Sequence, residues 1–122
     1  MSAERSPAEV FAQYCERGVL AYQVNPAGEA FFHPRLMAPG GGDAEWRESA
    51  GRGAVYATTT VRRRGEEPHD VSLVELDEGF RMMSRVDGMD PADVRVGMRV
   101  RVRFEPREDG PPVPVFVPEG QA

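Results

Sequence analysis

The chain has 122 residues, enough for one domain to bury a core without disulfide or metal support. Its 40% hydrophobic and 29% charged residues are typical of a globular protein and exclude a disordered chain. The formal net charge of −5 argues against binding nucleic acid or a membrane surface, because affinity for phosphates depends on concentrated positive charge. No basic, apolar leader and no apolar run near the roughly 20 residues of a bilayer span is evident. We therefore expect a soluble, cytoplasmic protein.

The first predicted element is a helix over residues 6–17. Ser6 is a suitable N-cap, Pro7 suits the first helical position, and Gly18 ends the helix. Three apolar side chains form a stripe on this helix: Val10, Phe11 and Tyr14. The stripe either covers the rest of the domain or docks onto a partner protein, and the sequence leaves both interpretations open.

Residues 19–42 predict a short strand, a turn and a connecting loop. LAYQV has strand composition, and NPAG after it is typical of a turn. Two phenylalanines follow, and then a loop in which a proline precedes three consecutive glycines. Such a loop cannot hold regular secondary structure.

From Trp46 onward the sequence predicts a β-barrel. Five segments have strand composition and are separated by turn residues: GAVYATTTVRRR, DVSLVELD, GFRMMSRV, GMRVRVRF and VPVFV. In the fourth, apolar residues alternate with arginines from Met98 to Phe104, as in a strand with one buried face. Asp90 and Pro91 predict a helical turn between the third and fourth strands. This is the element order of a five-stranded OB fold.

Three stretches of the chain carry a family resemblance: SAGRGAVYATTTV, VSLVELDEGFRMMSRVDGMDPADVRVGMRVRVRF and DGPPVPVFVP. Together they resemble bacterial and archaeal proteins that join an N-terminal helix, a zinc ribbon and a C-terminal OB fold, and that accompany thiolase-like enzymes acting on acyl-coenzyme A. The resemblance implies a mainly β protein. Residues 1–45 would hold the helix and a degenerate zinc-ribbon segment, and residues 46–122 the OB-fold domain.

The zinc ribbon of that family uses two cysteine pairs, and here the resemblance places all four ligand positions at residues without a thiol: Val24, Ala27, Ala38 and Gly41. Motif residues around them are kept: Gln23, Gly28 and His33-Pro34-Arg35. Zinc needs about four N, S or O donors, and the nearest others, Cys15 and His33, lie in unrelated segments. We therefore expect no bound metal. Apolar side chains are expected to form a small cluster in its place: Tyr22, Val24, Phe31 and Phe32.

No residue set for catalysis is evident. Cys15 lies late in the predicted helix, where the helix dipole disfavours a thiolate. His69 lies in a turn, and Asp77 and Glu78 lie at a hairpin tip, where side chains usually point to water. We therefore predict that the chain is not itself an enzyme.

Arginines are the most prominent polar feature of the predicted strands: Arg62, Arg63 and Arg64 on the first, Arg81 and Arg85 on the third, and Arg99, Arg101 and Arg103 on the fourth. If these faces adjoin, they form a basic stripe that could bind the phosphates of coenzyme A or an acidic patch on a partner. The candidates for such contact are Arg62, Arg63, Arg99 and Arg101. The alternative is a solvated strand face balanced by glutamates: Glu66, Glu67, Glu105 and Glu108.

What the resemblance implies is a non-catalytic subunit of a hetero-oligomer. A thiolase-like partner (a thiolase, aldolase or acyltransferase) would carry the catalytic residues, and the helix and ribbon would dock onto it. This chain would hold no cofactor tightly and would contact coenzyme A only within the complex. The alternative is an OB-fold module for single-stranded nucleic acid, in which Tyr56 and Phe80 would stack on bases.

Overall fold

The computed structural model describes residues 6–32 and 41–120. These residues form one α-helix, α1 (Pro7–Glu16), one 3₁₀ helix (Pro91–Asp93) and eight strands. The strands are β1 (Leu20–Val24), β2 (Ala30–Phe31), β3 (Glu45–Ser49), β4 (Arg52–Val61), β5 (His69–Leu76), β6 (Arg81–Ser84), β7 (Arg99–Arg107) and β8 (Gly110–Pro118). Within this part of the chain, no helix has the length and apolar character needed to cross a bilayer.

Helix α1 begins and ends where the sequence predicts. The Glu9 N–H donates to Ser6 Oγ at 3.2 Å, and the Glu9 carboxylate accepts from the Ser6 N–H, which completes a capping box. Gly18 follows the C-cap with a φ of 75°, in the left-handed region that glycine adopts without steric cost. The short 3₁₀ helix is capped as predicted, because Asp90 Oδ1 accepts from the Ala92 N–H at 2.9 Å.

A three-stranded antiparallel sheet of order β2-β1-β3 follows α1. Strand β1 is buried along its whole length. Strand β3 was missed from the sequence, because EWRES is mostly polar and exposed, yet it pairs with all of β1, from Leu20 opposite Ser49 to Val24 opposite Glu45. The residues just after position 45 therefore hydrogen-bond to the N-terminal sheet, and the division into 1–45 and 46–122 stays a prediction.

The five predicted strands form a second sheet of order β6-β5-β4-β7-β8, which curls into a nearly closed barrel. A parallel bridge between Val86 and Phe116 joins its two edges. A register shift between Val55 and Ala57 marks an irregularity of the kind that lets a long strand such as β4 bend. The mainly β fold and the OB-fold barrel are thereby confirmed.

Both sheets share one hydrophobic core. Alternate residues of β5 are buried, ending in Val74 and Leu76, and the alternation predicted for β7 puts Val100 at the centre of the core. Leu20 and Tyr22 of β1 pack into the same cluster as these barrel residues. The N-terminal segment is therefore packed against the barrel rather than tethered to it.

Candidate partner-binding surfaces

An aromatic cluster joins α1, the N-terminal sheet and the barrel. The Phe80 ring stacks on two others, with centroid distances of 4.7 Å to Tyr22 and 5.6 Å to Phe32. Phe11 of α1 contacts the Phe32 ring edge-on at 5.5 Å. Tyr22 and Val24 are buried, as expected of an apolar cluster in the degenerate ribbon. Phe80 and Phe11 complete the cluster and were not anticipated from the sequence.

The position of Phe80 corrects the nucleic-acid alternative. Only 2% of Phe80 is exposed, because the ring packs between Tyr22 and Phe32, so the expectation that it stacks on bases was wrong. Tyr56 is 47% exposed, but the guanidinium of Arg81 lies over its ring, 3.7 Å from the centroid. The barrel therefore lacks the pair of open aromatic faces that this function would use.

The apolar stripe of α1 divides between two roles. All three side chains are half-buried, and of the three Phe11 packs against the core. Val10 and Tyr14 border an open groove of about 460 Å³ beside the helix, and Arg17 lies over the Tyr14 ring at 4.7 Å. Part of the stripe thus covers the barrel, and docking of a partner at the remainder stays a prediction.

The arginine candidates are not brought together. Arg99 and Arg101 lie opposite Ala54 and Arg52, at the start of β4, whereas Arg62 and Arg63 follow the other end of that strand. Arginines of the barrel wall are ion-paired with carboxylates: Arg81 with Glu75, Arg85 with Asp87 and Glu105, Arg99 with Asp77 and Glu119, and Arg103 with Asp87. A continuous basic stripe is therefore not present on this face.

Asp77 and Glu78 hold separate parts of the chain together instead of pointing only to water. Both Asp77 oxygens accept from Arg99 at 2.9 Å, and these hydrogen bonds, with the nearby positive charge, lower the pKa of the Asp77 carboxyl. Glu78 accepts from Ser49 Oγ and from the Ala50 N–H, both at 2.8 Å. Asp77 is exposed, as expected of a hairpin tip, and Glu78 is half-buried. Their hydrogen-bond partners were not predicted because these partners are distant in sequence.

Cys15 is buried at the end of α1, and burial raises the pKa of its thiol to about 11. The sequence predicted an unreactive thiol from the helix dipole, whereas desolvation is the cause that the structure supplies. A thiol with such a pKa is almost entirely protonated at neutral pH, so Cys15 is a poor nucleophile.

The described zinc-ligand positions lie in different environments. Val24 is buried at the end of β1, Ala27 is exposed in the following turn, and Gly41 is exposed with a φ of 98°. Ala38 and His33 lie outside the described residues. Across 6–32 and 41–120, no three His, Cys, Asp or Glu side chains lie close enough together to hold a metal ion.

A buried polar network holds the strands where the barrel closes, and sequence reasoning missed it. The Asp70 carboxylate accepts from Thr58 Oγ1 at 2.6 Å, from Ser72 Oγ at 2.7 Å and from the Val86 N–H at 2.8 Å. Because Val86 is the residue that bridges to Phe116, Asp70 fixes the chain at the barrel seam. The alternation of β5 was the available signal, since it places Asp70 on the buried face.

A groove of about 320 Å³ lies along the same seam, between the edges of the sheet. Side chains from β5, β6 and β8 line it, among them Val71, Met83, Val113 and Pro114. Met83 is 61% exposed, so this surface includes an apolar side chain that is open to solvent.

Comparisons with known proteins agree with this fold. Residues 46–105 match the family described as ChsH2, C-terminal OB-fold domain. The chain is similar to a solved structure titled "Ltp2-ChsH2(DUF35) aldolase", with a TM-score of 0.79 and 26% identity over 97% of this chain and 98% of that chain.

Two proteins of known name are similar to this chain in sequence. A DUF35 domain-containing scaffold protein of Methanothermobacter thermautotrophicus is 29% identical over 92 residues, which are 68% of this chain and 69% of that protein. The 3-oxo-4,17-pregnadiene-20-carboxyl-CoA hydratase alpha subunit of Mycobacterium tuberculosis is 40% identical over 60 residues, 46% of this chain and 19% of that protein. These similarities support the resemblance to an acyl-CoA-associated OB-fold family, whose members include the C-terminal domain of ChsH2 and the DUF35 scaffold proteins.

Proposed function

We propose that this protein is a non-catalytic accessory subunit that binds an enzyme of acyl-CoA metabolism. The observation that carries the proposal is the similarity, over nearly the whole of both chains, to the DUF35 component of an aldolase complex. Relatives named as a scaffold protein and as a hydratase subunit support the same role. The family resemblance of the sequence supports a thiolase-like partner, and a hetero-oligomer follows from it.

The chemistry of the described residues supports a binding role. The Cys15 thiol is buried and protonated, and the Asp70 carboxylate is fully engaged in hydrogen bonds that hold the barrel. Asp77 is held by Arg99. Nucleophilic or acid–base catalysis requires groups that are accessible and mutually oriented, and these three are occupied elsewhere. The partner would then supply the reacting groups.

Contact with coenzyme A would arise in the complex and involve the exposed Arg62 and Arg63 at the β4–β5 turn. Arg99 is committed to Asp77 and Glu119. A guanidinium that is not already paired with a carboxylate binds a phosphate at lower cost. A free, buried cysteine fits a reducing compartment, which supports the cytoplasm as the location.

Co-expression tests this function directly. The chain would be produced in turn with each thiolase-like protein encoded in the same genome, purified through a tag on one protein only, and analysed by size-exclusion chromatography. We expect both proteins to elute together and the isolated chain to show no turnover of acyl-CoA substrates. Separate elution, or turnover by the isolated chain, would refute the proposal.

A further inference from the structure

The barrel has a seam that is only partly closed. Strands β6 and β8 are the two edges of the five-stranded sheet. Between the described residues of these edges, the recorded pairing is one parallel bridge, Val86 to Phe116. Its hydrogen bonds run from the Phe116 N–H to the Arg85 carbonyl at 3.0 Å and from the Asp87 N–H to the Phe116 carbonyl at 2.7 Å.

The backbone groups of Arg81 and Met83 face this seam. The Leu76 N–H donates to the Phe80 carbonyl at 2.8 Å, and antiparallel pairs alternate between bonded and non-bonded positions. Met82 and Ser84 therefore hydrogen-bond to β5, and the residues between them present their N–H and C=O groups to the opposite side.

Prolines explain why β8 does not close the seam along β6. The parallel register set at Phe116 places Pro114 opposite the carbonyl of Met83, and places Pro112 opposite the carbonyl of Arg81. Proline has no N–H to donate. These prolines remove no hydrogen bond between β7 and β8. Every second residue of β8, counted from Phe116, directs its backbone N atom away from β7, and the Phe116 N–H donates to Arg85 in this way.

The geometry points to a docking site for an extended segment of the partner subunit, which we propose adds to the open edge of β6. Its N–H groups would donate to the carbonyls of Arg81 and Met83, supplying the donors that β8 lacks, and an apolar side chain would enter the groove beside Met83. At about 30 Å³ per water molecule, the groove holds roughly ten waters, the space of a few side chains. It therefore has room for the side chains that an added strand would direct into it. This inference rests on the proposed function and identifies the surface through which this chain would bind its partner.

Amide hydrogen exchange of the full chain, alone and with the thiolase-like proteins encoded in the same genome, tests the site. We expect exchange of the Arg81 and Met83 amides to slow at least tenfold in the complex. The Met82 and Ser84 amides, already bonded to β5, serve as internal controls and should change little. A complex in which Arg81 and Met83 exchange at the free rate would overturn this site and leave the proposed function standing. The absence of any complex would overturn both.

Two variants test the same site by affinity. Met83→Arg places a charge in the groove and should weaken binding of that partner at least tenfold. Its matched control is Val96→Arg, at a position 66% exposed and away from the seam, which should bind within twofold of the natural chain. Pro114→Val restores an N–H opposite the Met83 carbonyl, so it should close the seam and weaken binding as well. Unchanged affinity in Met83→Arg would refute the proposal even if Pro114→Val failed to fold.

Discussion

Replacing Phe80 by alanine should cost more stability than any other single truncation in the aromatic cluster. Phe80 is 2% exposed and stacks on both Tyr22 and Phe32. Truncating a buried phenylalanine costs about 3–5 kcal/mol, because transfer and cavity terms add. Each aromatic pair is worth about 0.5–1.5 kcal/mol beyond burial, so we expect about 4–5 kcal/mol.

Urea denaturation of the full chain measures this cost. Domains of this size are stable by about 5–15 kcal/mol, so the variant would lose a large part of the total. With a slope of about 1–3 kcal/mol per molar urea, the midpoint should fall by roughly 2 M. Phe80→Leu keeps most of the volume and should cost about 1–2 kcal/mol. If Phe80→Ala costs less than about 1 kcal/mol, the claim that this ring joins the two sheets is refuted.

Three further predictions concern polar groups. Asp70→Ala leaves the buried Val86 N–H and the Thr58 hydroxyl without their acceptor, and the Ser72 hydroxyl keeps Thr58 Oγ1 at 3.1 Å, so we expect a loss of about 2–4 kcal/mol in urea denaturation. The pKa of Asp77 is lowered in the fold by Arg99, so their pairing stabilises the fold above the unfolded value of about 3.9 and is lost as pH falls through the lower folded pKa. Asp77→Asn should therefore be less stable than the natural chain at pH 7 and equal to it in strong acid. Cys15, with a pKa of about 11, should react with iodoacetamide at pH 8 at least tenfold more slowly in the folded chain than in urea.

Each of these predictions has an outcome that contradicts it. Asp70→Asn retains one carbonyl acceptor and is the control for Asp70→Ala; equal stability of the two would mean that acceptor capacity does not matter. A stability difference between Asp77→Asn and the natural chain that persists undiminished in strong acid would show that the ion pair is not its source. Rapid alkylation of the folded chain would show that Cys15 is not desolvated.

Local sequence signals predicted the elements of the fold well. The capping residues around α1 and the period-2 pattern of β7 act within a few residues, so they can be read directly from the chain. Strand β3 was missed because its residues are polar. Its position is set by pairing with β1, and every pair in that register joins residues more than 20 positions apart. Pairing of this kind has no local signal.

The candidate site was predicted less completely, for the same reason. Phe80 follows a turn glycine, a position that favours an exposed side chain. Its stacking partners belong to the N-terminal segment and not to the barrel. In the sequence nothing near Arg99 indicates an ion-pair partner, whereas in the fold Arg99 pairs with Asp77. The prolines of β8 belong to a stretch that carries the family resemblance, but their effect on the seam depends on the register with β6, which only the folded barrel shows.

The most direct test of the accessory-subunit role is a sedimentation-velocity titration of the purified chain into each purified thiolase-like protein encoded in the same genome. The proposed function predicts a faster-sedimenting species that saturates at a fixed molar ratio. Two species that sediment independently at every ratio would contradict it.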